Sequence, residues 1–363
     1  MSISRQGPKT ALIGCGRIGF LLENDLLRYK PCTHYGGAMA AGLKIHLACD
    51  ILQERLKLFG QTANLKDEAL YTDYGTMLRQ LRPETVIIAT WTESHADIGI
   101  CAAENGARVI ICEKPLASNL QEASRLLKVC NQRGVRLIIN HERRYDHRYN
   151  TAKRLIDRGK IGTIKTVHAS ILSHGYRGPS HPGEGGGPLM HDGTHMADIL
   201  RFFLGPIISV QGEFQRQNRR RGYEDRATAW LKTAGGVDIF LEAGGNRHYF
   251  LFELRISGTE GAITIGNGYE SLFLSQKSTL YTNFRDLKAH PFPSTKGESC
   301  FTREYREVKK LLKDETLPIT SEGLDGYKAI ELIHAIYLSS YIRKRVDLPL
   351  KPDSIDLNKI FNL

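Results

Sequence analysis

Over the first 140 residues, short apolar runs alternate with longer segments whose apolar positions recur every three or four residues, the texture of a parallel sheet with helical crossovers. TALIGCG, KIHLACD, TVIIAT (85–90), RVIICEKP (108–115) and VRLIIN (135–140) read as buried strands. ILQERLKLFG, GTMLRQL, HADIGICAAENG and LQEASRLLKVCNQRG read as helices between them, the last two closed by glycine. The pattern predicts a doubly wound α/β domain over residues 1–140.

After Arg144 the texture changes. IGTIKTVHASI, IISVQGEF, ATAWLKTAGGVDIFLEA, YFLFELRISG, AITIG and LFLSQK follow one another without long intervening helices, so neighbours are expected to pair antiparallel. LDGYKAIELIHAIYLSSYIRK (324–344) has helical spacing and closes a second domain, 141–363. No internal repeat or low-complexity segment interrupts either half.

A hydrophobic content of 41% and a charged content of 25% describe an ordinary globular chain, and no apolar run is long enough for a membrane span. The N-terminal MSISRQGPKT lacks an apolar leader core, and the seven cysteines are scattered without a C-x-x-C pair. Reduced thiols and a cytoplasmic location are expected. The net charge of +11 admits nucleic acid, anionic lipid or acidic small molecules. The densest basic stretch, RQNRRRGYEDR (216–226), has one aromatic residue and no recognition motif beside it, so it reads as a solvated loop and no nucleic-acid partner is expected.

Two constellations carry chemistry. GCGRIG, Gly14 to Gly19, follows the first strand immediately, where Gly14 permits the tight turn, Gly16 the approach of a pyrophosphate and Gly19 close helix packing. Arg17 and Ile18 complete that loop. Asp50 ends the second strand, where a carboxylate accepts ribose hydroxyls and repels an added 2′-phosphate, favouring NAD over NADP. Asp50 lies farther from the loop than the roughly twenty residues that are usual, and the excess is LENDLLRYKPC before His34, read as an inserted loop. The second constellation is GGGPLMHDGTHMADIL (185–200). With Pro188 opening a helix, His191 and His195 lie one turn apart and Asp192 on the neighbouring edge, while Leu189, Met196, Leu200, Phe203 and Leu204 face a core. Three readings stand: a metal pair, for which no third ligand or H-E-x-x-H is evident; a helix start whose polar residues cap or face solvent; and an acid/base site, since imidazole accepts a proton near neutral pH.

These segments, with THYGGAMA leading to LACD, ATWTESHADI (89–98), EKPLA (113–117), NHERRYD (140–146), ISGTEGAI and IHAIYLSSYIRKRVDLPL, resemble the Gfo/Idh/MocA oxidoreductases, the glucose-fructose oxidoreductase and inositol dehydrogenase family, over almost the whole chain. The resemblance implies an N-terminal Rossmann domain with a doubly wound parallel sheet and a C-terminal α+β domain with a large, mostly antiparallel open sheet that often forms the oligomer interface. It implies an active site between the domains, with Lys114 of EKP reaching nicotinamide and substrate, Thr90 and Glu113 beside the nicotinamide end, and Glu142 and Arg143 near the substrate. A lysine beside oxidised nicotinamide feels a positive neighbour and partial burial, which make its amine a better proton acceptor. The family usually carries aspartate four residues before the helix histidine. Here that position is His191 and the acid has moved to Asp192, so either the histidine replaces the carboxylate or Asp192 takes its part.

The expectation is thus an NAD-dependent oxidoreductase, NADP being the lesser alternative, acting on a secondary alcohol or ketone of a polyhydroxylated sugar, cyclitol or sugar derivative. Its expected machinery is His195 on the hydroxyl, Lys114 as proton partner and His191 lining the pocket, with no metal and a homodimer or homotetramer as the assembly. NAD-assisted glycoside cleavage, a dinucleotide-bound reductase of a non-carbohydrate carbonyl and a non-catalytic dinucleotide-binding sensor are the alternatives. Substrate choice is assigned to loops such as HGYRGPSHPGEGG (174–186).

Overall fold

A computed structural model describes residues 9–173, 186–216, 223–294 and 296–361. Most of the basic stretch at 216–226 and nearly all of the specificity loop at 174–186 lie outside them. The chain divides into two compact units, one of residues 1–145 with 298–327, the other of 146–297 with 328–363. Residues 298–327 thus belong with the first unit although they follow most of the second in the chain.

In the first unit, strands β1 (Thr10–Ile13), β2 (Leu47–Cys49), β3 (Leu70–Tyr71), β4 (Thr85–Ile88), β5 (Val109–Cys112) and β6 (Arg136–Ile139) form a parallel sheet of order β3-β2-β1-β4-β5-β6. Strand order reverses between β1 and β4, which opens a crevice at their carboxyl ends. Helices α1 (His34–Ala40), α2 (Gln53–Ala63), α3 (Tyr74–Leu81), α4 (His95–Glu104) and α5 (Leu120–Arg133) connect the strands. Asn64, Arg82 and Gly134 end α2, α3 and α5 in the left-handed conformation, the usual way to turn a chain out of a helix. The two-residue β3 was not expected from the pattern, because so short a strand shows no periodicity.

The second unit opens with α6 (His147–Asp157) and β7 (Ile164–Leu172). Helices α7 (Pro188–His191) and α8 (Gly193–Leu204) follow, then β8 (Ile207–Gln215), β9 (Arg226–Thr233), β10 (Asp238–Gly244), β11 (Leu251–Gly258), β12 (Gly261–Gly266), β13 (Tyr269–Lys277) and β14 (Arg285–His290). After α9 (Cys300–Leu311), which belongs to the first unit, come α10 (Gly323–Ile342), β15 (Val346–Asp347) and α11 (Leu357–Phe361). Nine strands form one sheet, β14-β13-β12-β11-β7-β10-β9-β8-β15. The sheet is mostly antiparallel, as expected, every pair being antiparallel except β7 with β10, which run parallel. The connection between them is long, passing through α7, α8 and the β8–β9 hairpin, and such a crossover can return the chain in the same direction.

One face of this sheet is apolar and packs with Met196, Ile199 and Leu200 of α8 and Leu332, Ile333 and Ile336 of α10. Leu189, Met196, Leu200 and Phe203 are buried as the helical spacing predicts, and Leu204 packs at the edge of the same core. The opposite face carries His168, Trp230 and Phe240 at paired positions across β7, β9 and β10. Phe252, on β11, is 1% exposed within the core. Phe252→Ala should destabilise this unit by about 3–5 kcal/mol, the cost of an aromatic cavity, read from a lowered urea midpoint without a change in slope.

Candidate active site

The dinucleotide loop leaves β1 at Gly14, whose φ is +96°. A Cβ there would collide with the Ala89 carbonyl at the end of β4, so glycine is required by both the turn and the close approach of the two strands at the crevice. At Gly16 the space is open, the nearest atom to an added Cβ being the Arg55 guanidinium at 3.8 Å. Gly19 packs directly on the Gly14 carbonyl. Arg17 is exposed, and Gly16 and Ile18 are half-buried. This cradle fits a pyrophosphate: its backbone is bare at Gly16, and the Arg55 guanidinium from α2 stands at it.

The cradle does not lead into a regular helix, as the motif alone suggests. Residues after Gly16 form a turn and a 3-10 segment, Leu21–Asn24, and α1 begins only at His34. Yet His34 N–H donates to Ile18 O at 3.1 Å and Tyr35 N–H to Gly19 O at 2.9 Å. The helix is therefore spliced, with the inserted loop leaving after Gly19 and returning at Thr33, whose side chain caps α1. Glu23 closes the insertion by accepting from Cys32 N at 2.7 Å and Thr33 Oγ1 at 2.8 Å. The insertion thus adjoins the phosphate cradle, which explains the lengthened spacing to Asp50.

Asp50 follows β2 as expected, and its carboxylate accepts Cys15 N–H at 2.7 Å and Leu52 N–H at 2.8 Å. It holds the glycine loop in shape with one lone pair on each oxygen, leaving others for a ribose. Thr90, after β4, accepts a hydrogen bond from Ser94 Oγ at 2.8 Å.

Glu113 and Lys114 leave the carboxyl end of β5, and the Lys114–Pro115 peptide is cis. His95, buried at the start of α4, lies between Pro115 O (Nδ1, 2.7 Å) and Thr90 O (Nε2, 3.1 Å), joining the loops that follow β4 and β5. Its burial lowers its proton affinity, against the pull of both carbonyls. Glu113 is 7% exposed and accepts from His34 Nε2 at 2.9 Å and Asn140 Nδ2 at 2.5 Å. Burial pushes its carboxyl up, but His34, Lys114 and Asn140 together outweigh burial and leave it below the ordinary range. Glu142 and Arg143, in a 3-10 turn after β6, pair with each other at 2.7 Å. Burial raises Glu142 despite Arg143. Arg55, His95 and His34 were not singled out from sequence as site residues. A cation one helical turn beyond Asp50 was the available signal for Arg55. The two histidines show theirs only once strand ends are adjacent.

In the second unit the histidine segment is not one helix. Asp192 divides α7 from α8. His191 N–H bonds Gly187 O and Asp192 N–H bonds Pro188 O, but His195 N–H bonds Asp192 O, a tighter step. Thr194 Oγ1 competes for the His191 carbonyl at 3.4 Å. His195 is buried, whereas the His191 ring is 42% exposed and lies 3.1 Å from Asp192 Oδ1. The histidines are therefore unlike: one embedded, one at the surface and paired with the shifted acid. Among the described residues no cluster of three or more His, Cys, Asp or Glu could hold a metal ion.

Glu224 fixes where this segment begins. It is fully buried and accepts Leu189 N–H at 2.8 Å and the Tyr337 hydroxyl at 2.9 Å. A Cβ on Gly187 would run into the Glu224 carboxylate, so the last glycine of the run is there for contact rather than flexibility. A concavity of about 940 Å³ elsewhere in this unit, lined by His168, Trp230, Phe240 and Arg343, contains none of His191, Asp192 and His195 and lies on the outer face of the sheet.

A crevice at a strand-order reversal, a glycine cradle beneath it and a lysine at the adjoining strand end define a dinucleotide-dependent oxidoreductase fold. Residues 9–141 match the model of an oxidoreductase family with an NAD-binding Rossmann fold, and residues 149–264 match the GFO/IDH/MocA C-terminal domain. The scyllo-inositol 2-dehydrogenase (NAD(+)) of Bacillus subtilis is 30% identical over 326 residues, 86% of this chain and 89% of that one. The D-apiose dehydrogenase of Paraburkholderia graminis is 28% identical over 355 residues, 94% of this chain and 89% of that one. In fold, the chain is similar to a solved levoglucosan dehydrogenase in complex with NADH and L-sorbose, with a TM-score of 0.78 at 20% identity over 94% of this chain and 99% of that one. The chain belongs to the Gfo/Idh/MocA oxidoreductase family.

Burial raises Glu224 from 4.5 to about 7, against the pull of Leu189 and Tyr337. The folded protein then keeps a proton that the unfolded chain releases above about pH 4.5. The corresponding stability is full below that pH, falls as pH rises to about 7 and is flat beyond. Replacing the carboxyl in Glu224→Gln should remove about 3 kcal/mol of this fall, seen as a flatter Tm against pH across that window; an unchanged slope would mean the carboxyl is ionised throughout.

Proposed function

We propose that this protein oxidises, or reversibly reduces, a secondary alcohol of a sugar, cyclitol or sugar derivative, with Lys114 and His195 handling the hydroxyl proton. The observation that carries the reading is Lys114 at the carboxyl end of β5, on a loop tied by His95 to the end of β4 and next to the hydrogen-bonded Glu113. The names of the relatives, which act on apiose and inositol, support the substrate class. When bound, NAD supplies the acceptor for the hydride that leaves the alcohol carbon.

The chain's own part is the proton and the orientation. As the C–H bond gives up its electron pair, the O–H proton must leave so that the C=O bond can form, and an amine or imidazole at that oxygen takes it. We assign that contact to His195 and Lys114, and the binding of neighbouring hydroxyls to Glu142, Arg143 and His191. Paired with His191, Asp192 orients that ring, which is the part left to the acid by its shift from the usual position.

The working form is proposed to be a homodimer or homotetramer built on the outer face of the nine-stranded sheet. Ile208, Trp230 and Phe240 are 40%, 50% and 47% exposed there, more apolar surface than a solvated sheet face ordinarily shows. A cytoplasmic setting is supported by seven free cysteines, none of them paired.

With a panel of sugars and cyclitols, NADH absorbance should report turnover with NAD exceeding that with NADP. Lys114→Ala should lower kcat by roughly 10²–10⁴-fold while fluorescence titration shows NADH binding intact, and His195→Ala should behave alike. Turnover at the normal rate in either variant would remove that residue from the chemistry.

A further inference from the structure

Glu113 is a buried carboxylate whose three donors are all N–H groups, and those bonds bear on where the nearby protons lie. His34 Nε2, Asn140 Nδ2 and, at the other oxygen, Lys114 N–H at 3.2 Å all approach it. A group accepting three N–H donors is satisfied as an anion, so His34 carries its proton on Nε2. The other nitrogen, Nδ1, lies 2.7 Å from the Tyr305 hydroxyl and is hydrogen-bonded to it. The wire runs from α9 through α1 to the end of β5, with Phe301 packed edge-on to the His34 ring.

Neighbouring carboxyls settle the other way. Glu304, adjacent to Tyr305 and fully buried, is pushed well up by burial and then by the charges of Glu113, Glu307 and Glu142, and neither of its oxygens has a hydrogen-bond partner among the described residues. The environment separates the group into an ionised Glu113 and a Glu304 that favours its neutral form. An ionised carboxylate thus stands at the end of β5, beside the crevice.

We infer that Glu113 is a fixed negative charge that distinguishes the oxidised from the reduced cofactor, favouring NAD+ over NADH in the binary complex. The difference in charge between the two lies on the pyridine ring alone, positive in one and neutral in the other, so a carboxylate near that ring acts on one form and leaves the other unaffected. The inference rests on the reading that the nicotinamide end lies over the ends of β4 and β5. His34 is a positioning residue in this scheme, because it keeps the carboxylate ionised without being needed at the ring.

The test is binding rather than turnover: NADH by fluorescence titration and NAD+ by competition against it. Glu113→Gln keeps the shape and removes the charge, and should raise Kd for NAD+ relative to that for NADH by roughly tenfold, the scale of one screened charge–charge contact. His34→Leu leaves the carboxyl less supported and should move the ratio in the same direction by less, with the shift growing as pH falls, so a poorly folding Glu113 variant leaves the inference testable. Equal weakening of both cofactors would overturn it in favour of a shaping role, and no change in either would place the ring elsewhere. Failure of the underlying reading looks different: the unaltered protein would not bind NADH, or Gly14→Val would bind it as well as the parent does.

Discussion

A carboxyl group taken out of water stays charged only if donors replace the water, and the first unit is organised around meeting that demand at Glu113. His34 reaches it from α1, Asn140 from the end of β6 and the Lys114 amide from its own loop. Tyr305 holds His34 from α9, a helix that comes back to this unit after the chain has laid down eight of the nine strands of the other sheet. Removing one donor would leave a buried anion partly unpaired, which costs more than the hydrogen bond is worth. The return of residues 298–327 is therefore more than a covering of apolar surface by Phe301, Tyr305 and Val308. It completes the polar shell beside the lysine.

The second unit solves a similar problem with fewer parts. Glu224, fully buried, fastens the first turn of the histidine segment through Leu189 N–H and is itself held by Tyr337 of α10. Gly187 makes room for it. The position of His195 thus depends on a carboxyl nearly thirty residues later and a phenol on the last long helix. In both units a buried acid anchors the segment beside it: Glu113 was marked by its motif, whereas no local pattern announces Glu224.

Much of this was legible beforehand because it is periodic or local. Five of the six parallel strands, the helices between them and the core face of α8 follow from runs and spacings, since burial selects apolar side chains at the period of the element. Gly14, Gly16, Gly19 and Asp50 were legible because the turn, the close strand approach and the strand end each call for one residue type. The break at Asp192 was not, because it arises where a threonine hydroxyl and a glycine loosen a helix that the spacing of His191 and His195 would allow to continue. The splice of the inserted loop into α1 was not legible either: only the bonds from His34 and Tyr35 back to Ile18 and Gly19 show that one helix has been divided.

The order of residues by itself determined the doubly wound half and the glycine turn after β1, because each depends on neighbours a few positions away or on a strand-to-turn junction. Tertiary structure alone decided which buried acids meet hydrogen-bond donors, that α9 belongs with the parallel sheet and that β7 runs parallel to β10. Those outcomes depend on which groups exclude water from one another, and hydrogen bonds across two hundred residues leave no trace in local spacing.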